Sequence, residues 1–85
     1  MYKIFITKQA DKDLQKILRS NLKDKLYKLM EQIECDPYSP PSEKLVGRSD
    51  VFSKRINLQH RLVYQVDEEN NVIKILRMWT HYGDN

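Results

Sequence analysis

Glu43, Arg61, His81 and Tyr82 are side chains that can take, give or stabilise charge, and Lys54 lies between the first two in sequence. A carboxylate can accept a proton, and an imidazole near neutrality can donate one and recover it. Cations can hold charge that develops in a transition state. Each of these residues also has a plainer explanation when taken alone. Lys54 and Arg61 could be solvated charges on an exposed sheet, and Glu43 an ordinary surface acid. His81 could be inert near the chain end, and Tyr82 a terminal aromatic that anchors a strand. Cys35 reads as a helix-end residue, with no histidine near it in sequence to make it a nucleophile. One cysteine and two histidines cannot conventionally assemble a four-ligand zinc site, so neither a metal nor another cofactor is expected.

The elements that must position these residues can be read from the pattern of apolar side chains. Tyr2, Ile4 and Ile6 alternate as in a half-buried strand. Thr7 can cap a helix in which Ala10, Leu14, Ile17 and Leu18 share one face. Arg19-Ser20-Asn21 breaks that pattern. A second helix then carries Leu22, Leu26, Leu29, Met30 and Ile33, and Asp36-Pro37 closes it. Pro37, Pro40 and Pro41 make the next stretch a surface connection. Glu43-Lys44-Leu45-Val46 is a short strand or only an extended stretch. Strands are expected at Val51–Asn57, at Arg61–Asp67, and from Val72 to about Trp79. The last two are joined by Glu68-Glu69-Asn70-Asn71, residues that tolerate a left-handed turn. This order predicts an α+β fold: an N-terminal strand, a two-helix hairpin, then an antiparallel sheet with both helices on one face.

The hairpin of the two central strands sets which side chains meet. With an even number of turn residues, Ile56 faces Arg61 and Lys54 faces Val63. Phe52, Lys54, Arg61, Val63 and Gln65 then share the uncovered face, while Leu62, Tyr64 and Val66 point to the helices. This places Lys54 and Arg61 together where RNA could lie. In the last strand His81 shares parity with Trp79, Arg77 and Ile75.

The bulk numbers agree with one small domain spanning residues 1–85. Of the chain, 40% is hydrophobic and 32% charged, which suits a globular rather than a disordered protein. No apolar run approaches the ~20 residues of a membrane span, and the first residues are too short for a signal peptide. A cytoplasmic protein without a membrane partner is expected. The net charge of +3 favours an anionic partner, nucleic acid or acidic protein. Cations crowd the first third, from Lys8 to Lys28, and Arg48, Lys54, Arg55, Arg61, Lys74 and Arg77 spread over the second half.

From the hairpin onward the chain resembles the YoeB/Txe toxins of the RelE superfamily of type II toxin–antitoxin systems. The residues that carry the resemblance are Ser53-Lys54-Arg55-Ile56, His60-Arg61-Leu62-Val63-Tyr64, the closing His81-Tyr82, and Glu43 two positions before Leu45. It implies a RelE-like domain acting as a ribosome-dependent mRNA endoribonuclease, held in check by a cognate antitoxin, with a homodimer as a further assembly. It places the acidic base on Glu43, the catalytic arginine on Arg61, and the remaining catalytic positions on His81 and Tyr82. Lys54 falls where the superfamily carries a basic residue facing the scissile phosphate, and Arg55 and Arg77 complete an expected RNA-binding set. Such residue types suffice for RNA, because the substrate supplies its own 2′-hydroxyl nucleophile.

The chain departs from the family pattern at Lys44, where proline is usual, and at Val46, where lysine is common. The stretch from Glu43 to Ser53 is slightly shorter, and Gly83-Asp84-Asn85 extend past the tyrosine. Two other classes compete with the nuclease. One is a ParE-like toxin that binds a protein target such as gyrase and needs no acid–base pair. The other is a plain nucleic-acid-binding module, for which Lys54, Arg61 and Arg77 would suffice.

Overall fold

The computed structural model describes residues 1–44, 47 and 50–79. Tyr2 to Thr7 form the start: strand β1 spans Lys3–Ile6, and Thr7 caps helix α1, Lys8–Leu18, by accepting a hydrogen bond from the Ala10 amide at 3.2 Å. The Thr7 hydroxyl also donates to the Ile75 carbonyl at 2.8 Å, which fixes the helix start against the sheet. Helix α2, Lys23–Cys35, follows a short break in which the Ser20 hydroxyl donates to the Ile17 carbonyl and accepts from the Leu22 amide. Strand β2 is Glu43–Lys44, β3 Val51–Arg55, β4 Arg61–Asp67 and β5 Val72–Arg77. The β4–β5 turn closes with Asn71 in the left-handed region at φ 58°, as its composition suggested.

Among the described residues the strands form one sheet in the order β1-β5-β4-β3-β2. Three neighbouring pairs are antiparallel, but β1 lies parallel to β5, with Lys3 opposite Val72 and Ile6 opposite Ile75. The sheet is therefore mixed, not antiparallel throughout. The physical reason is the crossover: the chain leaves β1 through two helices on one face and must enter the sheet elsewhere, so the outer position beside β5 remains for β1.

The core lies between the helices and one sheet face. Ala10, Ile17, Leu26, Leu29 and Ile33 meet Leu62, Tyr64, Val66, Ile73 and Ile75, with Ile4, Ile6 and Phe52 packed at the margin. Full burial of each Leu or Ile contributes about 1.5–3 kcal/mol relative to exposure. The apolar stripes of both helices thus face inward as their spacing predicts, except that Leu18 stays exposed at the end of α1. Asp13 is also fully buried, on the same stripe as Ala10, Leu14 and Ile17. Among the described residues no helix is long and apolar enough to cross a membrane.

Candidate functional site

The register of the β3–β4 hairpin decides which side chains can act together. Arg55 faces Arg61, Lys54 faces Leu62, Ser53 faces Val63 and Phe52 faces Tyr64. The turn holds five residues, Ile56 to His60, not the even number that the sequence pattern suggests. It is closed by the Ile56 amide donating to the His60 carbonyl at 2.9 Å, and Asn57 Oδ1 accepts from the Gln59 and His60 amides at 2.8 and 2.7 Å. A shift of one residue moves every side chain of a strand to the other face. Ile56 and Phe52 thereby reach the core, and Lys54 goes with them.

Lys54 therefore does not share the open face with Arg61. Its side chain is only 2% exposed. The ammonium donates to the Ser39 carbonyl at 2.6 Å and the Pro41 carbonyl at 3.3 Å, with Ser39 Oγ at 3.5 Å. Burial pulls it below the ordinary lysine value, and the charge of Asp36 opposes that shift. The residue that does stand beside Arg61 is Arg55, exposed and directly opposite. Two like charges at facing positions are unfavourable in the free protein, which is what a site for an anion would tolerate.

Strand β2 pairs with β3 so that Glu43 faces Ser53, and Ser53 faces Val63 on β4. Arg61 lies two residues from Val63 on the same face. Its Nη1 donates to Glu43 Oε1 at 3.0 Å and to Ser53 Oγ at 3.2 Å. The guanidinium side chain is 17% exposed and the Glu43 side chain 68%. The site is a shallow cleft at the β2 edge, lined by Glu43, Ser53, Arg55 and Arg61, by Lys25, Leu29 and Gln32 of α2, and by Lys54 with residues 40–42. The face is not bare elsewhere: Val51, Ser53 and Val63 are also withdrawn from solvent. At the end of the hairpin turn the His60 ring stacks on Trp79, with centroids 3.9 Å apart.

Arg77 does not join this cleft. The β4–β5 pairing steps from Tyr64 opposite Ile75 to Val63 opposite Arg77, a bulge that skips Leu76 and upsets the parity expected for the strand end. Arg77 Nε instead donates to Asp13 Oδ2 at 2.8 Å. The same carboxylate accepts from the Met78 amide at 2.9 Å and the Trp79 amide at 3.4 Å, and Gln9 Nε2 donates to its other oxygen at 3.3 Å. Burial pushes the Asp13 carboxyl up, but the bonds from Arg77 and Met78, the Arg77 charge and the Trp79 bond outweigh it and hold the value below the usual one. Sequence reasoning missed Asp13. A carboxylate three residues after Ala10 and four before Ile17, on an apolar stripe, was the available signal. Ser53, the second partner of Arg61, had no signal beyond its place in the hairpin. His81 and Tyr82 lie outside the described residues, as do Leu45 and Val46.

The family model for the ParE toxin of the type II toxin–antitoxin system parDE matches residues 4–84. The chain belongs to this ParE toxin family. Its fold is that of the solved toxins of this group. The YoeB dimer of Staphylococcus aureus is 31% identical, with 95% of this chain and 98% of that chain covered at a TM-score of 0.81. In the YoeB–YefM complex of the same organism the toxin is 32% identical, covering 96% and 99%, at 0.77. A YoeB/ParE toxin from Agrobacterium tumefaciens is 24% identical, covering 94% and 99%, with a TM-score of 0.86. No curated protein sequence matches significantly. This ParE-family chain is thus a type II toxin by family, with the α+β fold of RelE and YoeB proteins.

Proposed function

We propose that this toxin is a ribosome-dependent mRNA endoribonuclease of the cytoplasm, inhibited by a cognate antitoxin. The observation that carries the reading is the Glu43–Arg61 contact: an exposed carboxylate held at 3.0 Å by a guanidinium in an open cleft. Arg61 meets both its partners through Nη1, and a guanidinium has five N–H donors in a planar fork suited to phosphate. An RNA phosphate that engages Arg61 releases Glu43 to act as base. Glu43 takes the proton of the 2′-hydroxyl, the 2′-oxygen bonds to phosphorus, and the P–O5′ bond breaks. His81 gives its proton to the 5′-oxygen, and Arg61 stabilises the charge on the phosphorane. The products are a 2′,3′-cyclic phosphate and a 5′-hydroxyl. Tyr82 positions His81 or stacks on a base, and exposed Arg55 steers the backbone. Lys54 and Arg77, expected in that role from sequence, have their charges engaged by Ser39, Pro41 and Asp13.

The experiment is cleavage of a defined mRNA on ribosomes, with 5′ ends mapped and the upstream 3′ end identified. A cyclic or 3′-phosphate, and resistance of a substrate with 2′-deoxyribose at the cut site, support the scheme. A free 3′-hydroxyl, or normal cutting of the blocked substrate, makes water the nucleophile and removes it. Growth arrest without any new 5′ ends would point to a ParE-like action on a protein target.

A further inference from the structure

The segment between α2 and β2 delivers Glu43 to the cleft, and its course is held by side chains of β3, of β4 and of the turn that follows β4. Tyr64, buried in the core, donates from its hydroxyl to the Pro37 carbonyl at 2.6 Å. Tyr38 donates to Glu68 Oε2, and Tyr2 donates to Glu68 Oε1 at 2.7 Å. The Tyr38 ring meets Phe52 edge-on at 5.3 Å, and Phe52 stacks on Tyr64 at 6.1 Å. These contacts fix the first half of the segment. The second half, which leads straight into Glu43, is met by Lys54.

An ammonium that is withdrawn from water normally sits against a carboxylate. Lys54 has none in contact: neither ion pair among the described residues includes it. Its charge is spent on the carbonyls of Ser39 and Pro41, four and two residues before Glu43. Lys54 also lies on β3 next to Ser53, the residue that pairs with Glu43 across β2 and β3 and bonds Arg61. A single side chain thus ties the approach of Glu43 to the strand against which Glu43 must register.

We infer that Lys54 is a positioning residue for Glu43: although it lines the same cleft, its ammonium is committed to the Ser39 and Pro41 carbonyls and so fixes the general base opposite Arg61 rather than binding the substrate. The inference rests on the nuclease reading and replaces the phosphate-facing role that the sequence suggested for this lysine. A misplacement of about 1 Å in a reacting group costs on the order of 10²-fold in rate. The strain of an unanchored approach should therefore appear in kcat rather than in substrate binding.

The test is a double-mutant cycle of Lys54→Gln and Glu43→Ala in single-turnover cleavage on ribosomes, with folding checked by circular dichroism. Lys54→Gln should lower the rate at saturation about 10²-fold in the parent and less than about threefold in the Glu43→Ala background, with KM unchanged. Equal losses in both backgrounds, or a loss confined to KM, would mean direct contact with RNA and overturn the proposal. Hydrogen exchange on the same variants needs no activity. The amides of Ser42, Glu43 and Lys44 should exchange about tenfold faster in Lys54→Gln while those of β4 stay protected. Unchanged exchange there overturns the proposal, and wholesale loss of β4 protection shows a core lysine rather than a positioning one. A silent Glu43→Ala, or a parent that cleaves nothing, would instead sink the nuclease reading and leave the exchange result to decide on the clamp.

Discussion

The sheet carries two arginine–carboxylate pairs of nearly equal length and opposite character. Arg77 meets Asp13 at 2.8 Å and Arg61 meets Glu43 at 3.0 Å. The Asp13 side chain is 1% exposed and the Glu43 side chain 68%. Around Asp13 the donors include two backbone amides at the end of β5, so the carboxylate holds the strand to α1. Among the described residues the Glu43 carboxylate bonds the partner arginine alone, and most of the side chain is exposed. A carboxylate that is buried and held by several donors cannot change partners without cost, whereas an exposed one exchanges its arginine for a substrate at little expense. Distance alone does not separate a structural pair from a chemical one; burial and the surrounding donors do.

The largest effect that would sharpen this contrast is on rate. Glu43→Ala should slow single-turnover cleavage by roughly 10²–10⁴-fold, the usual contribution of a general base. A loss under threefold would place Glu43 with the ordinary surface acids and erase the distinction from the catalytic side.

Next comes stability at the other pair. Asp13→Ala orphans the Met78 and Trp79 amides and leaves Arg77 to find water, which should cost about 3 kcal/mol in urea unfolding. A cost below about 1 kcal/mol would show that the buried pair is as dispensable as the exposed one.

A pH series separates charge from shape at Asp13. Its carboxyl is held below the usual value in the folded state, so the unfolded chain binds its proton first as pH falls. The stability it contributes is complete above the unfolded value near 4 and is lost as pH drops through the lower folded value. The stability gap between the parent and Asp13→Asn should therefore narrow below about pH 4 and stay constant above about pH 5. A gap that does not change with pH would mean that Asp13 acts through its shape alone.

The smallest effect is the stability of Glu43→Ala, which should lie within about 1 kcal/mol of the parent and respond weakly to salt. A larger loss would mean that the open pair also holds the fold.

How much of this was legible in the sequence depends on whether a residue's neighbours are local. Both helices could be read because Ala10 to Ile17 and Leu26 to Ile33 repeat their apolar spacing within one element, and Thr7 is a cap by type. The β4–β5 turn was legible for the same reason. The β3–β4 register was not, because Phe52, Lys54 and Ile56 on one face and Val51, Ser53 and Arg55 on the other are mixed on both sides. Only the five-residue turn closed by Asn57 decides between them. The contact between Glu43 and Arg61 was not legible from local pattern, because it depends on how β2 pairs with β3; only the resemblance named the two residues together. Lys54 could not be read correctly, since its partners are backbone carbonyls of Ser39 and Pro41, which no side-chain pattern announces.

The parallel pairing of β1 with β5 also sets an order of assembly during synthesis. Lys3 to Ile6 are made before the other strands of the sheet, yet β5, their one strand neighbour among the described residues, spans residues 72–77. A nascent chain stopped before residue 72 holds β1 with nothing to pair against, however well its two helices have formed. Contacts this distant in sequence are slow to close, because most of the chain must be ordered first. The β1 edge of the sheet is thus completed only once residues 72–77 have been made, and a product that stops before residue 72 is left with an unpaired strand that invites aggregation or degradation.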